Sequence, residues 1–257
     1  MARWVGPHLF PLIFSWAALS CVVALTLFVM YMTFVPGLPV DPGFTLGHWA
    51  ELLDSYLLIE VVPNTMIVGV GTVLVTIVFA GPLSWLLNRT TLPGRNVFMA
   101  LIATVVVVPG FVKAMGWIIL VNERIGILNN ALASLLGMDS IPISLNNPYG
   151  MAWVMGLALT PSMFFLISGP MRALDPSLEE AAGVSGASKW WTFMGVSLPL
   201  IWPAILGGAI YNFMTAISIF EVPAMLGGAS GKAPVLASEL FYTVHPTTPD
   251  SAAAEIK

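Results

Sequence analysis

From His8 to Val40 the sequence contains no Asp, Glu, Lys or Arg. An α-helix rises about 1.5 Å per residue, so about 20 apolar residues cross the hydrocarbon of a bilayer. A cleaved signal peptide would carry an apolar core of only about 7–15 residues followed by a small-residue cleavage site. This run is longer and no such site follows, so a first span is predicted over roughly 9–35. The same arithmetic places a second span at Val61–Asn88, a third at Val97–Val121 interrupted by Lys113, a fourth at Tyr149–Met171 and a fifth at Leu198–Phe220. Strands of a membrane barrel would alternate and last only about 10 residues, so these spans are helices.

Composition supports lipid as the solvent. Hydrophobic residues make up 58% of the chain and charged residues 9%, against about 25% charged in soluble domains. The mean hydropathy is +0.90. The net charge of -4 leaves no electrostatic footprint for nucleic acid. A single cysteine, Cys21, excludes an intrachain disulfide. His8, His48 and His245 are scattered, and the methionines form no tight cluster, so no metal site and no cofactor is predicted.

Basic residues near the span ends set the orientation. With the N-terminus inside, Arg3, Arg89, Arg95, Arg172 and Lys189 face the cytoplasm, and the outer loops 36–60 and 122–148 hold only Arg124. The outer loops carry amphipathic patterns. In "IGILNNALASLLG", Ile127, Leu128, Ala131, Leu132, Leu135 and Leu136 recur at helical spacing, and "LGHWAELLDSYLL" does the same with Trp49, Leu52, Leu53 and Tyr56. Surface helices on the membrane, or docking sites for an external partner, fit both.

The stretch "EEAAGVSGASKWWTFMGVSLPL", from Glu179 to Leu200, is the one polar patch between greasy segments. Asp175-Pro176 is a helix start, an Asp N-cap followed by Pro at the first helical position. Glu179 and Glu180 fall where the positive end of the helix dipole favours carboxylates. Gly186 can close the helix in the left-handed conformation. Ser188 can cap a second short helix through Val196, and Pro199 then starts the fifth span. Two short helices in a compact turn cannot bury Leu178, Trp190, Trp191 and Phe193 by themselves. Small residues, Ala181, Ala182, Gly183, Gly186 and Ala187, leave room for close approach. The patch reads either as a docking knuckle for a cytoplasmic protein or as a capped loop packed on its own spans.

Glu180-Ala181-Ala182, three residues, Gly186, nine residues, then Val196-Ser197-Leu198-Pro199 resembles the EAA motif of bacterial ABC importer permeases, with Val196 in the place of Ile as its one departure. "NTMIVGVGTVLVTIVFAGPLSWLLNRTTLPGR", "VPGFVKAMGW", "GILNNALASLLG" and "FEVPAMLGG" are similar to the iron(III)/polyamine/thiamine branch of that family, and the resemblance covers about residues 46–245. It implies an all-α membrane protein, a polytopic helical bundle like the type I ABC importer permease fold. The domains expected are an N-terminal span and outer loop at 1–60, the permease unit at 61–245 with its coupling loop at 175–199, and a tail at 246–257.

The resemblance implies a permease subunit in the bacterial inner membrane that hydrolyses no ATP itself. No phosphate-binding Gly-rich motif is present in the sequence, in agreement. The patch is then a coupling helix seated in a cleft of an ABC ATPase subunit dimer. Glu179, Glu180, Ala181, Ala182, Gly186, Leu198 and Pro199 are the coupling residues, with Glu180 as the polar contact and Gly186 as the turn. A second permease half completes the path, and a periplasmic or extracellular solute-binding protein delivers the solute. Iron(III) leads among solutes, followed by polyamine, thiamine or phosphonate. The family carries a further span after "FEVP", and this sequence stops near where it should begin, around Asp250. A half lacking its last span, or one partner of a dimer, is the expectation.

Two further residues are candidates for lining the path. Lys113 lies about 24 Å along the third span from Val97, which places it near the outer interface. Snorkelling competes there with a role in the path. Pro109-Gly110 predicts a kink or break just before it. Glu221, in "IFEVP", ends the fifth span as a solvated carboxylate or as a group at the outer mouth. Outside the family, a secondary transporter or channel is the main rival, though it needs no capped knuckle. "GVSG" at 183–186 suggests an intramembrane serine protease only remotely, since Ser185 lies in a polar loop with no His in spans two to five.

Overall fold

The computed structural model describes residues 6–35, 43–53, 56–121, 126–138, 143–227 and 233–244. Arg3, Arg124, His245, Asp250 and the tail at 246–257 lie outside the described residues. The chain divides into two compact units, Met1–Leu58 and Ile59–Lys257.

In the first unit, α1 (Gly6–Met32) is apolar around its whole circumference, as a lipid-bathed span requires. Its end is fixed by aromatic packing. Phe34 stacks on Phe44 at 5.3 Å and on Trp49 at 6.0 Å. The Thr45 amide donates to the Phe34 carbonyl at 2.9 Å, and the Thr45 hydroxyl accepts from Gly47 at the start of α2 (Gly47–Leu52) at 2.9 Å.

In the second unit three long helices form the bundle: α3 (Val62–Arg89), entered through a π-helical turn at Leu57–Val61, then α7 (Pro148–Ala173) and α10 (Leu198–Ser218). Around them lie α4 (Arg95–Val107), α5 (Gly110–Leu120), α6 (Ile127–Leu136), α8 (Pro176–Val184), α9 (Lys189–Thr192), α11 (Glu221–Leu226) and α12 (Leu236–Val244). Among the described residues four helices are long and apolar enough to cross a membrane, or five if the bent pair α4–α5 counts as one.

α3 and α7 run parallel and close. A Cβ on Gly156 would collide with the Val75 side chain and lie 3.2 Å from the Thr72 carbonyl, so glycine is what lets the two backbones approach. α10 runs antiparallel to both. Its Asn212 is fully buried, accepts from the Ser162 hydroxyl of α7 at 2.7 Å and donates to its own Gly208 carbonyl at 2.9 Å. Such interhelical bonds stabilise membrane bundles by about 0.6 kcal/mol on average.

The core has two parts. One, at the end where α3 and α7 terminate, gathers Ala80, Leu87, Met163, Phe164, Ile167, Met171, Ile201 and Ile205. The other, at the opposite end, gathers Val68, Ala114, Met151, Val154, Met155, Ala216, Val222 and Leu226.

Three expectations need correction, beginning with the position of Lys113. The break predicted at Pro109-Gly110 is present, and α4 and α5 meet there at a bend of 101°. Val108 is extended because it precedes Pro109, and Pro109 then opens α5. The distance along a straight helix therefore does not locate Lys113. Next, no separate short helix ends at Val196. α9 runs through a π-helical turn, Phe193–Ser197, directly into α10, and the Leu198 amide donates back to Phe193. The wide turn accommodates Pro199, which has no N–H to continue an α-helical ladder. Last, Glu221 begins α11 rather than ending the fifth span, and α12 follows it.

The predicted amphipathic helix is present as α6, but it packs through Asn129 and Ala133. Ile127, Leu135 and Leu136 are exposed. The Asn129 amide donates to the Ile143 carbonyl at 3.1 Å, tying α6 to the approach to α7.

Candidate functional site

The polar patch folds as its local chemistry dictates. The Asp175 carboxylate accepts from the Ser177 amide at 2.9 Å and caps α8, with Pro176 at the first turn. That hydrogen bond, with a second from the Ser177 hydroxyl, holds the exposed Asp175 carboxyl below its ordinary pKa. α8 ends at Gly186, whose φ of 86° is left-handed. Ser188 caps α9 by accepting from the Trp191 amide at 3.4 Å.

The result is a knuckle that projects apolar side chains into open space. Val184 is 91% exposed, Trp191 71%, Trp190 65% and Leu178 46%. Ala181 and Gly186 are exposed and Ala182 half-buried. Leu198 is half-buried at the root of α10 and Pro199 exposed. Phe193 is the exception among the aromatics: it is half-buried and meets Trp85 of α3 edge-on at 6.2 Å.

The two adjacent carboxylates, equivalent in the sequence, are not equivalent here. Glu180 is exposed. Glu179 turns inward: it accepts from the Ser197 hydroxyl at 2.7 Å and forms an ion pair with Arg89, the last residue of α3, at 3.5 Å. Arg89 also donates to the Leu174 carbonyl at the end of α7, at 3.1 Å. Beside it, Asn88 bridges α3 to α7, donating to the Ser168 hydroxyl at 3.0 Å and accepting from Arg172 at 2.8 Å. One turn deeper, Ser84 and Ser168 hydrogen-bond at 3.0 Å in the buried seam. Sequence reading missed this network. Its signal was present only as scattered Ser and Asn in apolar runs. A cavity of about 570 Å³ adjoins it, lined by Arg89, Glu179, Glu180, Lys189 and Ser197 among others.

At the opposite end the structure brings Lys113 and Glu221 to one cavity of about 370 Å³. The cavity lies where two helices break. One break is Val108–Pro109 between α4 and α5, and the other is Ile219–Phe220 between α10 and α11. The Glu221 carboxylate occupies the space that a side chain on Gly110 would need, so it sits against the start of α5. Broken helices beside a polar cavity are how membrane proteins expose backbone groups to a solute without exposing them to lipid.

Residues 73–244 match the family described as "Binding-protein-dependent transport system inner membrane component". The chain is 25% identical over 243 residues to the ferric transport system permease protein FbpB of Actinobacillus pleuropneumoniae, covering 93% of this chain and 34% of that protein. It is 31% identical over 175 residues to the molybdate/tungstate transport system permease protein WtpB of Thermococcus kodakarensis, covering 68% and 62%. It is 30% identical over 188 residues to the spermidine/putrescine transport system permease protein PotB of Salmonella typhimurium, covering 72% and 64%. The chain thus spans between one third and two thirds of the length of these curated relatives. Among solved structures, that of a bacterial ABC transporter importing the acidic polysaccharide alginate matches with a TM-score of 0.70 at 16% identity, over 94% of this chain and 86% of that one. That likeness concerns the fold.

Proposed function

Because the chain belongs to the family of binding-protein-dependent transport system inner membrane components, we propose that it is the permease subunit of an ATP-driven importer, coupled through α8 to a separate ATPase subunit dimer. It is a multi-pass inner-membrane protein. A second permease half completes the solute path, and a solute-binding protein delivers to its outer mouth. The permease unit runs over 61–245, with the coupling loop at 175–199. By the basic-residue count the knuckle lies in the cytoplasm, and the cavity with Lys113 and Glu221 lies on the path toward the outside.

The observation that carries this reading is the exposed face of α8 with its surroundings. A capped short helix turns Glu180 and Ala181 outward while Glu179 ties it to the bundle. Apolar Leu178, Val184 and Trp191 around it are exposed, and Trp190 remains 65% exposed although its ring meets Phe193 at 6.1 Å. An interface core with a charged rim has this composition. Glu180→Lys places a cation at a helix start, unfavourable by about 0.3–1 kcal/mol at an exposed site, and reverses the charge offered to the ATPase. Normal membrane levels, weakened recovery of the ATPase subunit and lost uptake in vesicles are expected. Full recovery and parental uptake would reduce the knuckle to a capped loop.

For the solute we propose iron(III). The ferric relative aligns over 93% of this chain, the spermidine/putrescine relative over 72% and the molybdate/tungstate relative over 68%. A polyamine is the second reading, favoured by the Glu221 carboxylate at the cavity. Radiolabelled iron(III) and spermidine, each presented with the cognate binding protein to vesicles holding the assembled transporter, separate the two.

A further inference from the structure

We propose that Glu179 is not a contact for the ATPase but the strut that fastens the knuckle to the spans, and that with Arg89 and Ser197 it carries displacement of α8 into the bundle. The inference rests on the reading of α8 as the coupling helix, and it assigns the two neighbouring carboxylates opposite tasks: Glu180 faces the partner and Glu179 faces home.

The geometry of one junction supports it. Four helices converge on the Arg89–Glu179 pair. Arg89 ends α3, and its guanidinium reaches the Leu174 carbonyl that closes α7 at 3.1 Å. Glu179 belongs to the first turn of α8 and accepts from Ser197 at 2.7 Å. Ser197 is 2% exposed and sits in the π-helical turn from which α10 grows. A push on α8 therefore loads α3, α7 and α10 together. A fork-shaped guanidinium suits this place because it can hold a carbonyl and a carboxylate at once, which an ammonium on a flexible stem does less well.

The load does not stop at the junction. Asn88, the neighbour of Arg89, holds Ser168 and Arg172 of α7, and Ser84 holds Ser168 inside the seam. These bonds keep α3 and α7 from sliding past each other, so they move as one body. Hydrocarbon packing alone would leave that freedom, since apolar contacts are non-directional.

The test uses the full chain with Cys21→Ala, assembled with its ATPase subunit in lipid vesicles, and two reporter cysteines introduced separately. Val184→Cys sits on the knuckle and Val107→Cys beside the far cavity; the parent valines are 91% and 80% exposed. Each is labelled with a maleimide, with and without ATP plus vanadate. In the parent, the ATPase subunit should protect position 184 severalfold, and nucleotide should change the labelling rate at 107 severalfold. In Glu179→Ala, and in the milder Ser197→Ala that removes one hydroxyl, protection at 184 should persist while the response at 107 collapses. Glu179→Gln should fall between, because its amide oxygen still accepts from Ser197 but no longer pairs with Arg89. Glu180→Ala should instead lose protection at 184 and, with docking gone, the response at 107 as well. A full response at 107 in both Glu179→Ala and Ser197→Ala would overturn the strut. So would loss of protection at 184 in those variants, since it would make Glu179 part of the docking face. Absence of protection at 184 in the parent itself would instead bring down the coupling-helix reading, and the strut with it.

Discussion

The two ends of the three-helix bundle contrast within one apolar composition. At the knuckle end α3 and α7 reach their termini unbroken over a core of Leu87, Phe164, Ile167 and Met171. Side chains there bond across helices: Ser84 to Ser168, Asn88 to Arg172, and Arg89 and Ser197 to Glu179. At the opposite end the helices break. α4 turns into α5 through 101°, α10 gives way to α11, and a cavity holding Lys113 and Glu221 opens between the breaks. Ties there run mainly to backbone, as from Asn64 to the Pro234 carbonyl at 3.1 Å and from the Leu236 amide to the Thr65 hydroxyl at 2.9 Å. Polar side chains tie the helices at one end, where Pro82, Pro170 and Pro203 lie within continuous helices, while at the other end the helices are broken. The coupling proposed above would use this division, because packed segments move as bodies and shape changes gather at breaks.

The largest effect should come from attacking what both ends share. Gly156→Leu drives a side chain into Val75 and the Thr72 carbonyl, where overpacking costs about 1–3 kcal/mol. Both ends should fail together, read as a lower melting temperature in detergent and less monodisperse protein. A parental melting curve would mean that the α3–α7 seam does not join them.

Gly186→Val should separate the ends. A β-branched residue forced to a φ of 86° is disfavoured by about 1–2 kcal/mol. Amide exchange should rise over 176–188 while α5 and α11 keep their protection. Equal loosening at both ends would break the comparison.

The smallest effect concerns pH at the knuckle alone. The folded-state pKa of Asp175 is depressed by the Ser177 amide and hydroxyl. The cap is therefore in place above the ordinary Asp value of about 3.9 and is lost as pH falls through the lower folded value. Exchange at the Ser177 amide, corrected for intrinsic rate, should accelerate on acidification below that range. Asp175→Asn caps without titrating, so its profile should be flat.

The knuckle's local architecture was legible because it is written in contiguous residues: Asp175-Pro176 as a start, Gly186 as a stop, Ser188 as a second cap. The long spans were legible because lipid forbids charge over some 20 positions. The break at Pro109 was legible as a break, but its 101° angle was not. A proline marks where hydrogen bonds are lost, whereas the direction of the next helix depends on what it packs against. The division of labour between Glu179 and Glu180 was hidden for the same reason. Nothing in "EE" tells which carboxylate will meet an arginine 90 positions earlier in the chain and which will face outward. Likewise α6 exposes Ile127, Leu135 and Leu136 and buries Asn129, which its amphipathic pattern alone did not indicate.

The polar partners that join α3 to α7 are separated by nearly constant distances in the sequence: 84 residues from Ser84 to Ser168, 80 from Asn88 to Ser168, 84 from Asn88 to Arg172 and 85 from Arg89 to Leu174. The two helices are in effect a matched pair of rulers. One residue inserted into either, between Gly71 and Arg89 or between Ala152 and Ala173, would rotate everything beyond it by about 100° and turn Ser84, Asn88 or Ser168 toward lipid. Related sequences should therefore vary in loop length freely outside these two segments and hardly at all within them, so the gap pattern of an alignment would trace this seam even where residue identity had drifted away.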